Sequence, residues 1–275
     1  MKSPVILIAH QEFILNKRNR WLHSFVGLFA LLTLIISYFG MVTSGYSGFQ
    51  DFTRTAASII SLGCFVIPLF ALVLGVFSFL SNREYIELLV AQPVSRGQVL
   101  MGKYLGLVMT VAGSTLAGLG APGVIISLVI GYEGAVKYGV VVLQSSILSM
   151  IFIGLSLLIV LAVKWRQLAL GLAFGVWLFY ELLYGVLMLG ATLYFTPAFL
   201  KTFLLVGLLG NPIDITRVLS LLTVGSPHLF GPGGATLIKL TGSLGVTFAF
   251  AWMGLLLWII LPLLIVRSLF ARQDL

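Results

Sequence analysis

Six apolar runs, each too long for the core of a small soluble domain, constrain this chain more than any motif in it. They cover roughly 22–43, 56–80, 104–131, 138–163, 168–195 and 241–266. A helix needs about 20 predominantly apolar residues to cross the hydrocarbon core of a bilayer. A seventh run, 198–210, is too short to cross and is followed by Asn211-Pro212. In lipid every backbone polar group must be satisfied within its own element, so spans of this length are helical. The expected fold is therefore an all-α polytopic membrane protein of six spans, one domain over 1–275. Composition agrees: 60% of the 275 residues are hydrophobic and 9% charged. The mean hydropathy of +1.13 excludes an ordinary soluble domain.

A formal net charge of +8 invites a nucleic-acid reading, but its placement argues for topology. With six spans the termini and the even-numbered loops share one side. That side holds Lys2, Lys17, Arg18, Arg20, Arg83, Arg96, Lys103, Lys164, Arg166, Arg267 and Arg272. The other holds Arg54, Lys137, Lys201, Arg217 and Lys239. The excess of basic residues puts both termini in the cytoplasm and the protein in the inner membrane, multi-pass. The first apolar run follows some twenty residues bearing several charges, so a cleaved signal peptide is not expected. The single cysteine, Cys64, lies inside the second run and offers no disulfide or cluster ligand.

Before the first span, residues 3–20 read as an amphipathic interfacial helix. Ser3 suits the cap and Pro4 the first turn. Val5, Ala9 and Phe13 recur at helical spacing, and Gln11, Glu12 and Asn16 are expected to face away. His10 is placed at the polar edge.

The stretch 82–98 carries the most punctuation. Asn82 can cap a short helix with Glu84 in its first turn, where a carboxylate suits the positive end of the dipole. That helix carries Ile86, Leu88 and Leu89 and stops before Pro93. Ser95 and Gln98 then stand in capping-box spacing, with Val94 and Val99 placed as a hydrophobic staple. The string Gly97 to Lys103 fits the first seven places of a phosphate-binding loop, but Tyr104 stands where a hydroxyl should reach magnesium. No strand precedes it and a span follows, so nucleotide binding is rejected. No catalytic residue is assigned and the chain is not read as an enzyme.

Within the spans, Pro68 is expected to bend span two at Cys64, and Pro122 the outer third of span three. Gly113, Ala117 and Ala121 form a small-residue face in span three, and Gly171 and Gly175 a G-x-x-x-G face in span five. Glu181 falls near mid-bilayer, where an ionisable group is costly. Two readings stand: a neutral carboxyl hydrogen-bonded between helices, with Tyr180 and Tyr184 beside it, or a gate or contact at a subunit seam. Residues 196–240 are the one substantial outer segment. There Asn211, Pro212 and Asp214 open a helix, and Asp214 and Arg217 stand for an i,i+3 pair.

The order acidic helix, Leu-Leu, Pro93, Ser95-Arg96, Gly102-Lys103 resembles the loop after the second span of ABC-2 type transporter permeases. The elbow-like N-terminal helix and the outer re-entrant segment are similar to that family too. At the place of its usual glycine and small residue this chain has Tyr85 and Ile86. The resemblance implies a coupling segment on a separate ATPase, carried by Arg83, Glu84, Glu87, Pro93, Ser95, Arg96 and Gln98, with Lys164 and Arg166 as a second contact. Asn19 to Leu22, Gly171 to Trp177 and Asn211 to Arg217 are similar to a subgroup serving nitrous-oxide reductase maturation. That likeness implies a homodimer with Gly171, Gly175 and Glu181 near its seam, bound to two ATPase subunits that hold the ATP and magnesium. It also implies a periplasmic copper-handling partner, to whose docking Asn211, Asp214, Arg217 and His228 are assigned. Clustered soft ligands for copper are missing from the sequence, so no metal site is assigned to this chain and the copper is placed on the partner. The alternative is an ABC-2 exporter of an amphipathic or lipid-like molecule. A stand-alone secondary transporter is disfavoured because the halves show no matching repeat.

Overall fold

The computed structural model describes residues 3–43, 49–81, 89, 93–130, 132–163, 165–194, 197–225 and 242–272, and among them there is no strand. The helices are α1 (Pro4–Lys17), α2 (Arg20–Thr43), α3 (Phe49–Ser81), α4 (Arg96–Ile130), α5 (Tyr132–Ala162), α6 (Arg166–Leu178), α7 (Tyr184–Ala191), α8 (Pro197–Leu209), α9 (Pro212–Val224) and α10 (Leu244–Arg272). A π-helical turn, Phe179–Leu183, joins α6 to α7 into one span. Six spans result, from α2, α3, α4, α5, the α6–α7 unit and α10.

Burial ranks these spans. In α4 and α5 67% of the most apolar stretch is buried inside the chain, and in α3 61%, whereas in the fifth span only 11% is. So α3, α4 and α5 form the centre. There α3 and α4 pack on α5, α2 crosses α4, and α10 closes against α5. The fifth span leans on α3 through Ala169, Ala173 and Trp177, leaving Leu168, Leu172, Leu182, Val186 and Leu187 exposed. Lipid or another chain must cover that face, because in a membrane an outward apolar side chain carries no penalty.

Pro68 lies inside an otherwise continuous α3, next to the point where the Trp177 indole N–H donates to the Phe65 carbonyl at 2.9 Å. The carbonyl left without its helical donor by Pro68 is that of Cys64, so the indole meets the backbone one residue further on, within the same turn. The helix of α4 likewise runs on through Pro122.

The segment after the fifth span is built as expected, both at its caps and as a re-entrant pair of short helices. The Asn211 side chain accepts from the Ile213 N–H at 3.0 Å, Pro212 opens α9, and Asp214 stands in its first turn. Gly225 closes it at φ 85°, a left-handed conformation that glycine adopts without Cβ strain. Helix α9 is also part of the packed bundle. It meets α8 at 101° and wedges between α3, α5 and α10, burying Ile213, Ile215, Val218, Leu219 and Val224. Side chains satisfy the last carbonyls of α8: Tyr184 O–H donates to Gly207 at 2.5 Å and Trp258 N–H to Leu209 at 2.8 Å. Ser220 donates to Gln144 at 2.8 Å, and Gln144 to Thr223 at 3.1 Å, which ties α9 to α5.

Three packing expectations need correction. Ser3 occupies the cap position of α1, but its side chain makes no capping hydrogen bond; its carbonyl takes the Ile6 and Leu7 N–H groups instead. Gly113 and Ala117 face outward, and a Cβ on Gly113 would meet nothing within 4 Å among the described residues. The close approach to α1 occurs two to three turns earlier on the same face of α4, at Gly102 and Gly106. The third concerns the inward face of α1.

Candidate functional sites at the two ends of the bundle

The first site lies where the elbow helix meets the start of α4. Helix α1 buries Ile8, Ala9, Glu12 and Asn16 and leaves Ile6, Leu7, Ile14 and Leu15 exposed. The sequence expectation had Glu12 and Asn16 facing away with Gln11; only Gln11 and His10 do so. The reason is a partner 91 residues on. Lys103 Nζ meets Glu12 Oε2 at 2.7 Å, with both side chains 0% exposed. Ser78, at the end of α3, donates to the other carboxylate oxygen, and the Asn16 amide reaches the same oxygen at 3.1 Å. The ammonium also stands 5.4 Å from the centre of the Phe79 ring. Both charges are therefore paired and hydrogen-bonded, the condition under which a buried ion pair is tolerated.

Geometry lets the pair form. A Cβ on Gly106 would sit 2.5 Å from Glu12 Cβ and 2.6 Å from the Ala9 carbonyl oxygen. One on Gly102 would sit 2.7 Å from Ile8 Cβ. Glycine at both positions brings the α1 backbone against α4, one turn apart and beside Lys103. Lys103, the residue that suggested a phosphate-binding loop, is thus the anchor of the elbow helix.

Directly before it stands the capping box. The Ser95 N–H donates to Gln98 Oε1 at 3.0 Å, and the Gln98 N–H to Ser95 Oγ at 3.3 Å. Val94 packs on a small cluster of Ile8, Leu89 and Val99, so the staple also reaches α1. Helix α4 begins at Arg96 and runs unbroken from this box into the membrane, eight residues before the expected span. Arg83, Glu84, Glu87 and Lys164 lie outside the described residues. Arg166 opens α6 with its guanidinium 4.5 Å from the Phe77 ring centre, beside the end of α3.

The second site is an ionic cluster between the fifth span and α9. Glu181 sits in the π-helical turn, and Arg217 Nη2 reaches its Oε1 at 2.9 Å. Arg217 Nη1 is 3.4 Å from Asp214 Oδ1, the i,i+3 pair foreseen from spacing. Asn211 Nδ2 donates to Asp214 Oδ2 at 2.7 Å and to the Tyr180 carbonyl at 2.8 Å. A side-chain amide has entered the widened ladder of the π turn, a feature frequent at functional sites. Glu181 is 11% exposed and Arg217 32%, so the cluster is reached from outside the chain along the arginine. Glu181 Oε2 and Arg217 Nε are buried with no hydrogen-bond partner among the described residues.

This arrangement revises the reading of Glu181. The tyrosines are not its partners: Tyr184 is spent on Gly207 and Tyr180 stacks edge-on with Trp258. Its partner is instead a guanidinium at 2.9 Å, a charge-assisted contact in place of a neutral one. Asn211 is buried and fully engaged, so Asp214 and Arg217 are the described members of the docking set that reach the surface. His228 lies outside the described residues. Gly171 and Gly175 are exposed, and a Cβ at either would meet nothing within 4 Å, which leaves that face of the fifth span open. Among the described residues no three His, Cys, Asp or Glu groups gather in metal-binding geometry.

Comparison with known proteins agrees with this architecture. Residues 6–275 match the family described as ABC-2 family transporter protein. The chain is 32% identical over 277 residues to the "Probable ABC transporter permease protein NosY" of Stutzerimonas stutzeri, covering 97% of both chains. It is 33% identical over 282 residues to the protein of the same name from Pseudomonas aeruginosa, covering 98% of this chain and 99% of the relative.

Proposed function

The chain belongs to the ABC-2 family of transporter permeases, and from that premise we propose that it works as the membrane subunit of a NosDFY-like complex. Two copies pair through the fifth span and engage separate ATPase subunits similar to NosF. A periplasmic copper-handling protein similar to NosD docks at the outer end, near Asp214 and Arg217. ATP hydrolysis on the partner then drives the conformational work that supports copper–sulfur centre assembly in nitrous-oxide reductase. Both termini lie in the cytoplasm and the spans in the inner membrane.

The observation that carries this reading is the near-full-length likeness to two permeases named NosY. The mechanics follow from the first site. Force applied to the coupling segment 82–98 enters α4 through the Ser95–Gln98 box. The Glu12–Lys103–Ser78 cluster binds α1, α3 and α4 into one body at that end, so the load moves three elements together. At the far end of the path, the Glu181–Arg217 contact joins the fifth span to α9, which packs on α3 and α5. Relative motion of the central helices and the fifth span is therefore felt at that ion pair. In this scheme copper belongs to the periplasmic partner and the permease transmits movement.

The test is genetic and spectroscopic. A nitrous-oxide-respiring host lacking this gene should produce the reductase without its copper–sulfur centre, and the wild-type chain should restore it. Reversing Glu84 and Glu87 together should abolish restoration and ATPase co-purification. A fully assembled reductase in the deleted host would refute the maturation role and favour export of an amphipathic molecule.

A further inference from the structure

At the elbow end of the bundle a groove of about 490 Å³ runs between the start of α4, helix α1 and the last turns of α10. Its walls are Leu100, Met101, Ile260, Leu263 and Leu264, with Val5 closing one side. The volume is in the range of sites that bind small molecules. Ile260, Leu264 and Met101 are 48%, 56% and 39% exposed, so the groove opens along its length rather than enclosing a cavity.

The polar rim has one sign. It consists of Arg267, Ser95 and Gln98, with no carboxylate among the lining residues. The capping box uses Oε1 of Gln98 and a lone pair of Ser95 Oγ, both as acceptors. What remains is the Gln98 amide N–H₂ and the Ser95 hydroxyl proton, both donors. Arg267 adds a guanidinium that makes no ion pair among the described residues. Three donors over an apolar trough complement an acceptor-only anion attached to a hydrocarbon chain. Gly97, also on the rim, leaves open space where a side chain would stand.

We propose that this groove binds one anionic phospholipid of the leaflet at the elbow end, its phosphate on Arg267 and Gln98 and an acyl chain along Met101, Leu263 and Leu264. The bilayer supplies this ligand at every moment, and an anionic headgroup matches the donor rim. The bound lipid touches both partners of the capping box and Val5 of α1. It thereby braces the joint through which α4 is loaded. The inference requires only that the bundle sits in a bilayer, and it stands or falls apart from the maturation role.

The full-length permease, extracted from vesicles of equal parts phosphatidylethanolamine and phosphatidylglycerol, provides the test by native mass spectrometry. Wild type should retain phosphatidylglycerol in preference to phosphatidylethanolamine. Arg267→Gln should lower that preference on the order of tenfold, the scale of one lost charge-assisted contact. Leu264→Trp, which fills the trough and keeps the charge, should also expel the lipid. Lys17→Gln, a basic residue exposed at the same end but outside the groove, should change nothing. Equal retention in wild type and Arg267→Gln, or equal loss in Lys17→Gln, overturns the site. Displacement by inorganic phosphate alone would identify a free anion site and equally overturn the lipid.

Discussion

Removing Lys103 while leaving Glu12 in place should release the elbow helix from α4. In Lys103→Met the hydrocarbon stem is kept and only the ammonium is lost, so packing changes little. The carboxylate then stays buried with Ser78 and Asn16 as its donors. Breaking one side of a buried pair costs about 3–5 kcal/mol, whereas replacing both sides by apolar groups is often neutral. At 1.4 kcal/mol per decade, the detached state of α1 should gain at least about 100-fold in population. Cysteine at position 9 reads this out, because Ala9 is buried against Gly106. In a parent lacking Cys64, Ala9→Cys should resist maleimide and become reactive at least about 100-fold faster once Lys103→Met is added. Glu12→Met together with Lys103→Met should restore most of the protection. If the single variant labels as slowly as the parent, the ion pair does not hold the helix. If the double variant labels as fast as the single, volume rather than charge is responsible.

Gly106→Ala should free α1 by steric means, since its Cβ would strike the Ala9 carbonyl as well as Glu12, at a cost of about 1–3 kcal/mol; the same labelling assay checks it. Ser95→Ala removes a cap worth ~1 kcal/mol and should weaken the response of ATP hydrolysis to the permease without loss of co-purifying ATPase; a collapse of complex yield with normal coupling would refute the mechanical role. At the second site, Glu181→Gln keeps shape but replaces the ion pair with a neutral amide acceptor for Arg217, a loss of about 1–3 kcal/mol given the partial exposure of Arg217. Reductase maturation should fall with assembly intact, and the swap Glu181→Arg with Arg217→Glu should recover part of it; wild-type maturation in Glu181→Gln would make the pair purely structural. Cysteine at position 137 should react with an impermeant reagent from the periplasm, and protection there in intact spheroplasts would overturn the inside placement of the termini.

Much of the fold is legible in the chain because each signal is local. Run length sets the spans, and all six appear, the third starting eight residues before its expected bound. Ser95 with Gln98, and Asn211 with Pro212 and Asp214, announce caps whose partners lie within three residues. The family resemblance likewise rests on short strings that need no knowledge of packing. A coupling role for Arg83, Glu84 and Glu87 is implied by that resemblance alone, and these three lie outside the described residues.

What the chain alone could not decide is which face of each helix turns inward. In water, apolar spacing would answer that, since the apolar face goes in. In a bilayer the solvent is apolar as well, and α1 inverts the rule: Ile6, Leu7, Ile14 and Leu15 face out while Glu12 and Asn16 go in. The inward face is chosen by the ion pair with Lys103, by glycines that admit the backbone, and by Ser78, all distant in sequence. The same holds for Glu181. Its position near mid-membrane marks it as costly, but its partner Arg217 is 36 residues away on a helix folded back by 101°. Lipid rewards no particular face, so only the closure of polar groups on one another fixes the assembly, and that closure exists only in three dimensions.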